Sequence, residues 1–324
     1  MSHPALTGPV SLRVSVTDRC QYRCLYCTPQ EGVELFSHDR ILRHEEVIRF
    51  VRTLRKHVGI SKVHITGGEP LIRRGLTDLV SMLASEGIAD LAMTTNGLLL
   101  ADHAAALARA GLKRVNVSLH SLCKETFRQI TRGGELARTL AGIDAAAAAG
   151  LQPIKLNVTI LRELNDAQAP AMAQFAMDRN MTLRFIELMP IGEATKEFAL
   201  RYVPARDVLE RLAREFTLTA LPRRPGSSSR EFGITNSTGQ SGTVGVITST
   251  SEVFCGDCNR LRLSACGELI GCLARTGGVD ITPLLRADGP VDEEQLMQRV
   301  AEVMSHKRTS GGFHTNRHMP KVGG

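Results

Sequence analysis

Residues 12–28 read LRVSVTDRCQYRCLYCT, and this stretch decides the fold that the rest of the chain follows. Its first half alternates apolar and polar residues, which is the period of a strand with one buried face. Three cysteines follow with CxxxCxxC spacing, at Cys20, Cys24 and Cys27. Three thiolates leave one iron of a [4Fe–4S] cluster open to a reacting ligand, whereas a structural zinc site closes with a fourth protein ligand. The stretch therefore predicts a strand that ends in a cluster-binding loop, with a zinc knuckle as the alternative.

The strand pattern recurs five more times before residue 188, in KVHIT, LAMTT, RVNVSL, IKLNVTI and TLRFIE. Amphipathic or alanine-rich stretches with helical periodicity, such as HEEVIRFVRTLRKH, separate these runs. Strands that alternate with helices form βα units and a parallel sheet. We therefore predict an α/β fold in which six units form a partial, TIM-like (β/α)6 barrel over residues 1–220.

Polar motifs lie at or near the carboxyl ends of most of these predicted strands. They are the cysteine loop, GGEP at 67–70, TTNG at 94–97, SLH at 118–120 and MP at 189–190. On the fifth strand, Lys155 and Asn157 stand two apart and share one face. Parallel barrels build their active sites at the carboxyl rim of the strands. The motifs therefore predict one shared cavity at that rim.

A second cysteine-rich stretch, FCGDCNRLRLSACGELIGC, covers residues 254–272. Cys255 and Cys258 form a CxxC pair, and a third cysteine would again leave one iron of a cluster open. Spacing alone leaves either Cys266 or Cys272 as the third ligand. The stretch therefore predicts a second cluster in which one iron has no protein ligand.

Two arginines, Arg260 and Arg262, follow the CxxC pair directly. They stand two apart, so in an extended chain their guanidinium groups project to the same side. The planar guanidinium can bind a phosphate with two hydrogen bonds. In isolation such arginines indicate an exposed strand face, but beside an open cluster they favour a phosphate site.

The regular alternation of strands and helices ends near residue 202. The stretch LPRRPGSSSREFG at 221–233 has the composition of a flexible loop. Short strand patterns around the second cysteine set and a helical pattern in DEEQLMQRVAEVMSH follow it. We therefore predict a smaller C-terminal α+β domain over residues 221–324, which carries the second cluster.

Composition limits the classes of function. The 324 residues include 40 Lys and Arg against 33 Asp and Glu, which favours an anionic ligand. Trp is absent and Tyr occurs three times, so the chain has few aromatic side chains on which bases could stack. A small anionic ligand is therefore favoured over RNA. No apolar run approaches the ~20 residues of a membrane span. Eight cysteines without a signal-peptide pattern predict a reducing cytoplasm, with no membrane or nucleic-acid partner.

The first cysteine loop, with Tyr26 before its last cysteine, and the GGEP motif resemble the radical S-adenosylmethionine (SAM) superfamily. The resemblance implies that the loop holds a [4Fe–4S] cluster whose open iron binds SAM. It also implies that the GGEP motif contacts the methionine end of SAM. Gly68 is then expected to let the backbone approach the ligand, because it has no Cβ.

The whole chain, from Arg13 onward, resembles the GTP 3′,8-cyclase family, also called the molybdenum cofactor biosynthesis protein A family. The resemblance implies a second [4Fe–4S] cluster, held by Cys255, Cys258 and Cys272. It implies catalytic arginines that bind the triphosphate at Arg13, Arg260 and Arg262. It implies SAM-binding positions at Tyr26, Gly67, Gly68, Glu69, Ser118 and Met189. It implies substrate-binding positions at Arg13, His64, Thr95, Lys155, Arg184, Asn259, Arg260, Leu261, Arg262, Gly323 and Gly324. His64 departs from the family, which usually carries an arginine there, and a shorter, often neutral side chain weakens one phosphate contact.

The resemblance also implies an activity and partners. A 5′-deoxyadenosyl radical made from SAM removes H3′ of GTP, and the C3′ radical attacks guanine C8 to give 3′,8-cyclo-7,8-dihydro-GTP. An external electron donor is required, a cyclic pyranopterin monophosphate synthase consumes the product, and a homodimer is compatible with the sequence.

Two other classes of function remain as alternatives. They are a radical SAM peptide-modifying enzyme with an auxiliary cluster, and an iron–sulfur or zinc-dependent RNA-binding regulator. Two cysteines, Cys123 and Cys266, match neither of the family's ligand sets. We expect both to be buried or inert thiols, because free cysteine is among the most buried residue types.

Overall fold

A computed structural model describes residues 8–256, 258–307, 312–315 and 317–323. In this part of the chain, twelve strands form one sheet. The strands are β1 (Val10–Ser15), β2 (Ile60–Thr66), β3 (Leu91–Thr95), β4 (Arg114–Ser118), β5 (Lys155–Thr159), β6 (Thr182–Ile186), β7 (Thr217–Ala220), β8 (Arg230–Thr235), β9 (Ser241–Ile247), β10 (Arg260–Leu263), β11 (Glu268–Ile270) and β12 (Val279–Asp280).

The six strands predicted from the alternating pattern are β1 to β6, and each pairs in parallel with the next along the chain. The strand order of the whole sheet is β12-β11-β10-β1-β2-β3-β4-β5-β6-β9-β8-β7. The predicted α/β fold with a partial (β/α)6 barrel is therefore confirmed.

The α-helices lie between strands or after the last strand: the first six occupy the connections between the parallel strands β1 to β6, the next two lie between β6 and β7, and the last three follow β12. They are α1 (His44–His57), α2 (Leu76–Ser85), α3 (Leu100–Arg109), α4 (Lys124–Thr131), α5 (Leu136–Ala148), α6 (Ala169–Asp178), α7 (Ala194–Arg201), α8 (Ala205–Leu212), α9 (Thr282–Arg286), α10 (Glu293–Ser305) and α11 (Met319–Val322). No helix in the described part of the chain is both long and apolar enough to cross a bilayer.

Helix α1 illustrates how the sequence pattern produces the layer outside the sheet. Val47, Phe50, Val51 and Leu54 recur at i, i+3, i+4 and i+7, so they share one face, and all four are buried. Phe50 has no exposed surface. Replacing it with alanine would therefore cost about 3–5 kcal/mol of folding free energy through the lost burial and the cavity left behind.

Strands from residues 221–324 extend both edges of the barrel. Strand β9 pairs in parallel with β6, and β10 pairs in parallel with β1. The C-terminal strands thus share one sheet with the barrel. The predicted domain boundary at residue 220 stays a prediction.

The stretch at 221–233 differs from its prediction as a flexible loop. Its last four residues open β8, which pairs antiparallel with β7 and β9. Phe232 is buried at 8% exposure, and this burial favours the strand over a loop. The flexible-loop prediction is therefore wrong for residues 230–233.

Candidate functional site

One cavity of about 310 Å³ runs through the inside of the barrel. Residues at the carboxyl ends of β1 to β6 line it, and so do residues of the C-terminal strands. The predicted residues on its wall are Arg13, Cys20, Cys24, Tyr26, Cys27, Gly67, Gly68, Glu69, Thr95, Ser118, Arg184, Met189, Cys255, Cys258, Arg260, Arg262 and Cys272. The folded chain therefore brings both cysteine sets and most of the predicted site residues to one space.

The first cysteine set lies at the carboxyl rim, in the loop after β1. The backbone N–H groups of Cys27 and Thr28 donate to the carbonyl oxygen of Cys24, at 2.9 and 3.1 Å, which closes a tight turn. Burial raises the pKa of the Cys20 thiol to about 12 and raises the pKa values of Cys24 and Cys27 as well. Such thiols stay protonated until a cation binds, so iron must displace their protons.

The GGEP loop packs directly against the cysteine loop. The N–H of Gly68 donates to the Thr17 carbonyl at 2.8 Å, and the N–H of Glu69 donates to the Arg19 carbonyl at 2.8 Å. A Cβ on Gly68 would collide with the carbonyl oxygen of Arg19. The predicted reason for this glycine was approach to a ligand. In the structure, its hydrogen side chain is required by the contact between the two loops.

Glu69 joins the ends of β2 and β3. One carboxylate oxygen accepts from the Leu71 N–H at 3.1 Å and from the Thr95 hydroxyl at 2.8 Å, and the other accepts from the Asn96 N–H at 2.7 Å. Burial raises the pKa of Glu69 to about 7, although these three donors lower it. The carboxylate therefore fixes the position of the TTNG loop, and the hydroxyl of Thr95 already has a protein partner.

His120 is a wall residue that sequence reasoning did not assign, although it lies in the SLH motif. Its Nε2 lies 2.7 Å from the Tyr26 hydroxyl, and the Thr159 N–H donates to its Nδ1 at 3.3 Å. An Nδ1 that accepts leaves the proton on Nε2, which then donates to Tyr26. Burial lowers the pKa of His120 to about 4, so the ring is neutral at pH 7. His120 thus holds Tyr26 in place beside the first cysteine set.

The second cysteine set lies at the opposite end of the strands. Ser11, near the start of β1, pairs with Arg260, and its N–H donates to the Asn259 carbonyl at 3.0 Å. Cys258 directly precedes this point, so it lies near the amino end of β1. The prediction of a single carboxyl-rim cavity is therefore incomplete. The cavity extends from the rim through the barrel, because β10 runs parallel to β1 and begins where β1 begins.

The strand register distinguishes Cys272 from Cys266. Strand β11 runs antiparallel to β10 with Arg262 opposite Ile270, and continuing that register brings Cys272 opposite Arg260. Cys272 lines the cavity, whereas Cys266 lies in the turn at the other end of the hairpin, 3.4 Å from the Ser264 hydroxyl. This geometry favours Cys272 as the third ligand.

Cys123 is predicted to be a buried or inert thiol, and the buried alternative is wrong. It is exposed, and its Sγ donates to a carboxylate oxygen of Glu125 at 3.2 Å. It occupies the N-cap position of α4, where the chain leaves the barrel wall. Cys266 is partly buried.

The sulfur of Cys258 lies among cations. The Nε of Arg260 lies 3.4 Å from it and the Nζ of Lys307 lies 3.5 Å from it. Burial raises the pKa of Cys258, but Arg260 and Lys307 lower it more, to about 7. Lys307 also donates to the Arg260 carbonyl at 2.6 Å. No motif indicated Lys307, because its contact with Cys258 spans 49 residues of sequence.

The donor sets fit iron–sulfur clusters better than single metal ions. In the described ranges, no three Cys, His, Asp or Glu side chains converge as ligands of one ion. The cysteines of a [4Fe–4S] cluster each bind a different iron, whereas the ligands of zinc meet at one ion. Two sets of three thiols on a cavity wall therefore fit two clusters.

Among the described residues, four arginines line the cavity. Burial is the largest cause that lowers the pKa of Arg13, and the charges of Arg262, Arg260 and Arg184 lower it further. Burial also lowers the pKa values of Arg184 and Arg262, to about 10 in each case. Like charges held this close in a buried site favour a polyanionic ligand, which relieves their mutual repulsion.

Two further predicted substrate residues are not among the residues that line the cavity, and both contact other protein groups. His64 is 3% exposed, and its Nε2 lies 2.6 Å from the Thr94 hydroxyl. Burial and the charge of Arg13 lower the pKa of His64 well below its usual value, so its ring is neutral. The Nζ of Lys155 lies 3.7 Å from a carboxylate oxygen of Glu231.

The other predicted substrate residues lie on β10 or near the chain end. The side-chain amide of Asn259 donates to the Pro9 carbonyl at 3.0 Å, and the Leu261 side chain is completely buried in the core. The carbonyl oxygen of Gly323 accepts from Arg262 Nη1 at 2.7 Å, so the chain end reaches the arginine cluster. Gly324 lies outside the described residues. The assignment of these positions to GTP or SAM stays a prediction.

Known proteins resemble this chain over nearly its full length. The Radical SAM superfamily model matches residues 14–176, and the Molybdenum Cofactor Synthesis C model matches residues 181–313. The GTP 3′,8-cyclase of Pelotomaculum thermopropionicum is 43% identical over 318 residues, which cover 97% of each chain. That of Geobacter sulfurreducens is 42% identical over 318 residues, which cover 97% of this chain and 96% of the relative.

A solved structure shares the fold. The crystal structure of Streptococcus suis SuiB bound to S-adenosylmethionine aligns with a TM-score of 0.62 and 13% identity, over 87% of this chain and 64% of that one. The family models, the full-length relatives and the shared fold agree, and the chain belongs to the GTP 3′,8-cyclase family of the radical SAM superfamily.

Proposed function

We propose that this chain is a GTP 3′,8-cyclase, a lyase that converts GTP to (8S)-3′,8-cyclo-7,8-dihydroguanosine 5′-triphosphate. This is the first step of molybdenum cofactor biosynthesis. One observation carries the proposal: a single cavity has a cysteine triad at each end and a cluster of arginines between them. The proposed enzyme makes a radical from one ligand, and the radical removes a hydrogen atom from the ribose of a nucleoside triphosphate. Such an enzyme needs these three parts in one enclosed space.

At the carboxyl rim, Cys20, Cys24 and Cys27 hold the first [4Fe–4S] cluster, and the GGEP loop binds SAM beside it. When bound, this cluster and SAM supply a 5′-deoxyadenosyl radical for removal of H3′ from the ribose of GTP. The neutral His120 orients Tyr26 at this site through the 2.7 Å contact. Glu69 and Gly68 hold the two loops together, so that the ligands of this site keep a fixed geometry.

Between the two cysteine sets, Arg13, Arg184, Arg260 and Arg262 bind the triphosphate. Guanidinium groups pair with phosphate oxygens through charge-assisted hydrogen bonds, which are stronger inside a protein than in water. Cys255, Cys258 and Cys272 would hold the second cluster, which would supply a binding position for the guanine base. The arginines therefore fix the ribose between the two clusters, and this positioning supplies much of the rate enhancement.

The reaction requires partners. An external donor supplies electrons, and a cyclic pyranopterin monophosphate synthase consumes the product. Clusters with an open iron also require a reducing compartment, which supports a cytoplasmic location.

Anaerobic product analysis tests the proposal. The reconstituted protein should hold about eight irons, and with a reductant, SAM and GTP it should form 5′-deoxyadenosine together with the cyclised nucleotide. ATP is the matched control, because it has the same triphosphate and a different base. If GTP does not accelerate 5′-deoxyadenosine formation, the proposal is wrong. A peptide-modifying enzyme would cleave SAM without this dependence on GTP, and an RNA-binding regulator would not cleave SAM.

A further inference from the structure

The chain has to cross the open side of the barrel between β9 and β10. Strand β9 ends beside β6 at the carboxyl rim, whereas β10 begins beside the amino end of β1. The described residues 248–256 and 258–259 make this crossing, and we call them the crossing segment. Cys255 and Cys258 both lie in it. The path of this segment therefore decides where two ligands of the second cluster lie.

The far end of the crossing segment is fixed by β1. Asn259 accepts from the Ser11 N–H through its carbonyl at 3.0 Å, and its side chain donates to the Pro9 carbonyl at 3.0 Å. This end needs no further support, because pairing of β10 with β1 begins at the next residue.

The near end is fixed by one buried carboxylate. Glu187 directly follows β6 and is 2% exposed. Its Oε2 accepts from the N–H groups of Thr250 and Ser251, at 3.0 and 2.9 Å. Its Oε1 accepts from the Ser251 hydroxyl at 2.5 Å and from the Ala205 N–H at 2.8 Å. Four donors thus converge on one side chain.

Backbone contacts around Glu187 support the same anchor. Its N–H donates to the Ile247 carbonyl at 3.2 Å, and its carbonyl accepts from the Ser249 hydroxyl at 3.4 Å. The Thr250 hydroxyl donates to the Leu188 carbonyl at 3.1 Å. Residues 249–251 are therefore attached to the barrel immediately before the chain leaves it.

Most of the hydrogen-bond donors to Glu187 come from the crossing segment. A buried carboxylate costs folding free energy unless donors satisfy it, and here three of four donors belong to the crossing segment. The fourth, Ala205, is the first residue of α8, whose N-terminus favours a negative charge. The carboxylate therefore stabilises one path of residues 249–251, which places Cys255 four residues farther along on the cavity wall.

We infer that Glu187 is the positioning residue of the second cluster: it anchors the crossing segment so that Cys255 and Cys258 reach a common site with Cys272. This inference rests on the proposed two-cluster function. Glu187 itself lines the cavity, but the inference concerns its contacts with the crossing segment. It acts through the backbone of residues 249–251.

The test is the iron content of Glu187→Gln. Glutamine keeps the size of the side chain and one acceptor oxygen, but whichever way its amide is turned its NH₂ group faces at least one backbone N–H donor, so the anchor is weakened. Iron and sulfide per chain should fall from about eight to about four after anaerobic gel filtration. The SAM-dependent change in the electron paramagnetic resonance (EPR) spectrum of the first cluster and slow SAM cleavage without GTP should remain.

Two controls separate positioning from general stability. Glu252→Gln removes the same charge from an exposed site on the same segment, where Glu252 pairs only with Arg230 in the described part of the chain, and it should retain about eight irons. Asp166→Asn alters a buried carboxylate that pairs with Arg211 away from the cavity. It should lower the melting temperature without selective loss of the second cluster.

If Glu187→Gln does not fold, Ser251→Ala provides a second, milder test of the same anchor. It removes one donor and leaves the carboxylate, so the second cluster should be lost several-fold faster than in the parent. The inference is overturned if Glu187→Gln keeps about eight irons and a parent-like EPR response to GTP. It is also overturned if Ser251→Ala loses both clusters at equal rates. A parent protein with eight irons that ignores GTP would contradict the proposed function, while the iron counts would still decide the role of Glu187.

Discussion

The two ends of the cavity use the same ligand chemistry but are built in different ways. The first cysteine set lies within residues 20–27, and one tight turn plus the GGEP loop holds it. The second set comes from the crossing segment and the end of β11, and Lys307 approaches it from far along the chain. The thiols of the first set have raised pKa values, whereas cations lower that of Cys258. One site is thus local, with thiol pKa values set mainly by burial, and the other is assembled by tertiary structure, with cations around Cys258.

The largest expected difference concerns the cysteines themselves. Cys24→Ala should abolish 5′-deoxyadenosine formation, because the SAM-binding cluster no longer assembles. Cys272→Ala should lower the iron content from about eight to about four and abolish cyclisation, while SAM cleavage without GTP persists. Iron analysis and chromatography of 5′-deoxyadenosine measure both effects.

Cys266→Ala is the matched control for this comparison. It lies six residues from Cys272 but does not line the cavity, so it should retain about eight irons and cyclase activity. Selective loss of the second cluster in Cys266→Ala would contradict the assignment of Cys272.

Thiol reactivity in the cluster-free protein should also differ between the two ends. At pH 7, about half of Cys258 is thiolate, whereas a thiol of pKa about 12 is ionised to about one part in 10⁵. The stronger intrinsic nucleophilicity of the high-pKa thiolate offsets part of this difference. Iodoacetamide should therefore modify Cys258 on the order of a hundredfold faster than Cys20.

Peptide mass spectrometry across pH 5–10 measures these rates. Because the folded pKa of Cys258 is lowered, its reaction should rise with pH through about 7 and then level off, while that of Cys20 keeps rising. Lys307→Met should move the midpoint for Cys258 upward. Equal modification rates for the two cysteines at pH 7 would contradict the difference in thiol pKa between the two sites.

The arginines between the two ends should give a smaller effect. Arg13→Lys or Arg262→Lys keeps one positive charge but loses the planar guanidinium that can form two hydrogen bonds to one phosphate. Each change should weaken GTP binding about 10- to 100-fold, or about 1.4–2.7 kcal/mol of binding free energy. SAM affinity should change little. Arg179→Lys, on the outer surface over Phe175, is the control and should bind GTP normally. Equilibrium dialysis under anaerobic conditions would detect the difference, and unchanged GTP affinity in Arg13→Lys would contradict the triphosphate site.

The smallest expected effect tests the support of Tyr26 at the first end. His120→Phe keeps a ring in place but removes both hydrogen bonds of the imidazole, the 2.7 Å contact with Tyr26 and the 3.3 Å bond from the Thr159 N–H, which together cost about 1–3 kcal/mol of folding free energy. SAM affinity should fall several-fold while the iron content stays near that of the parent. His103→Phe on α3 does not touch the cavity and serves as the control. A parent-like SAM affinity in His120→Phe would mean that Tyr26 needs no partner.

Sequence patterns predicted the barrel and the position of the first cysteine loop after β1, for a physical reason. A strand of period two, a helix of period 3.6 and a turn with CxxxCxxC spacing are local features, and each depends on neighbours within a few residues. Hence β1 to β6 and the loop of Cys20 could be predicted from the amino-acid sequence. The same reasoning could not find His120 as the partner of Tyr26, because their contact joins positions 94 residues apart.

What the sequence determined by itself is the strand order of the barrel core and the chemistry of each cysteine set. What only the tertiary structure decided is the position of the second set at the opposite end of the strands, the place of Cys272 rather than Cys266 on the cavity wall, and the contacts of Glu187 with residues 249–251. The reason is the pairing of β9 with β6 and of β10 with β1. This pairing forces the crossing segment to span the open side of the barrel, and it depends on contacts between residues that lie far apart in the chain.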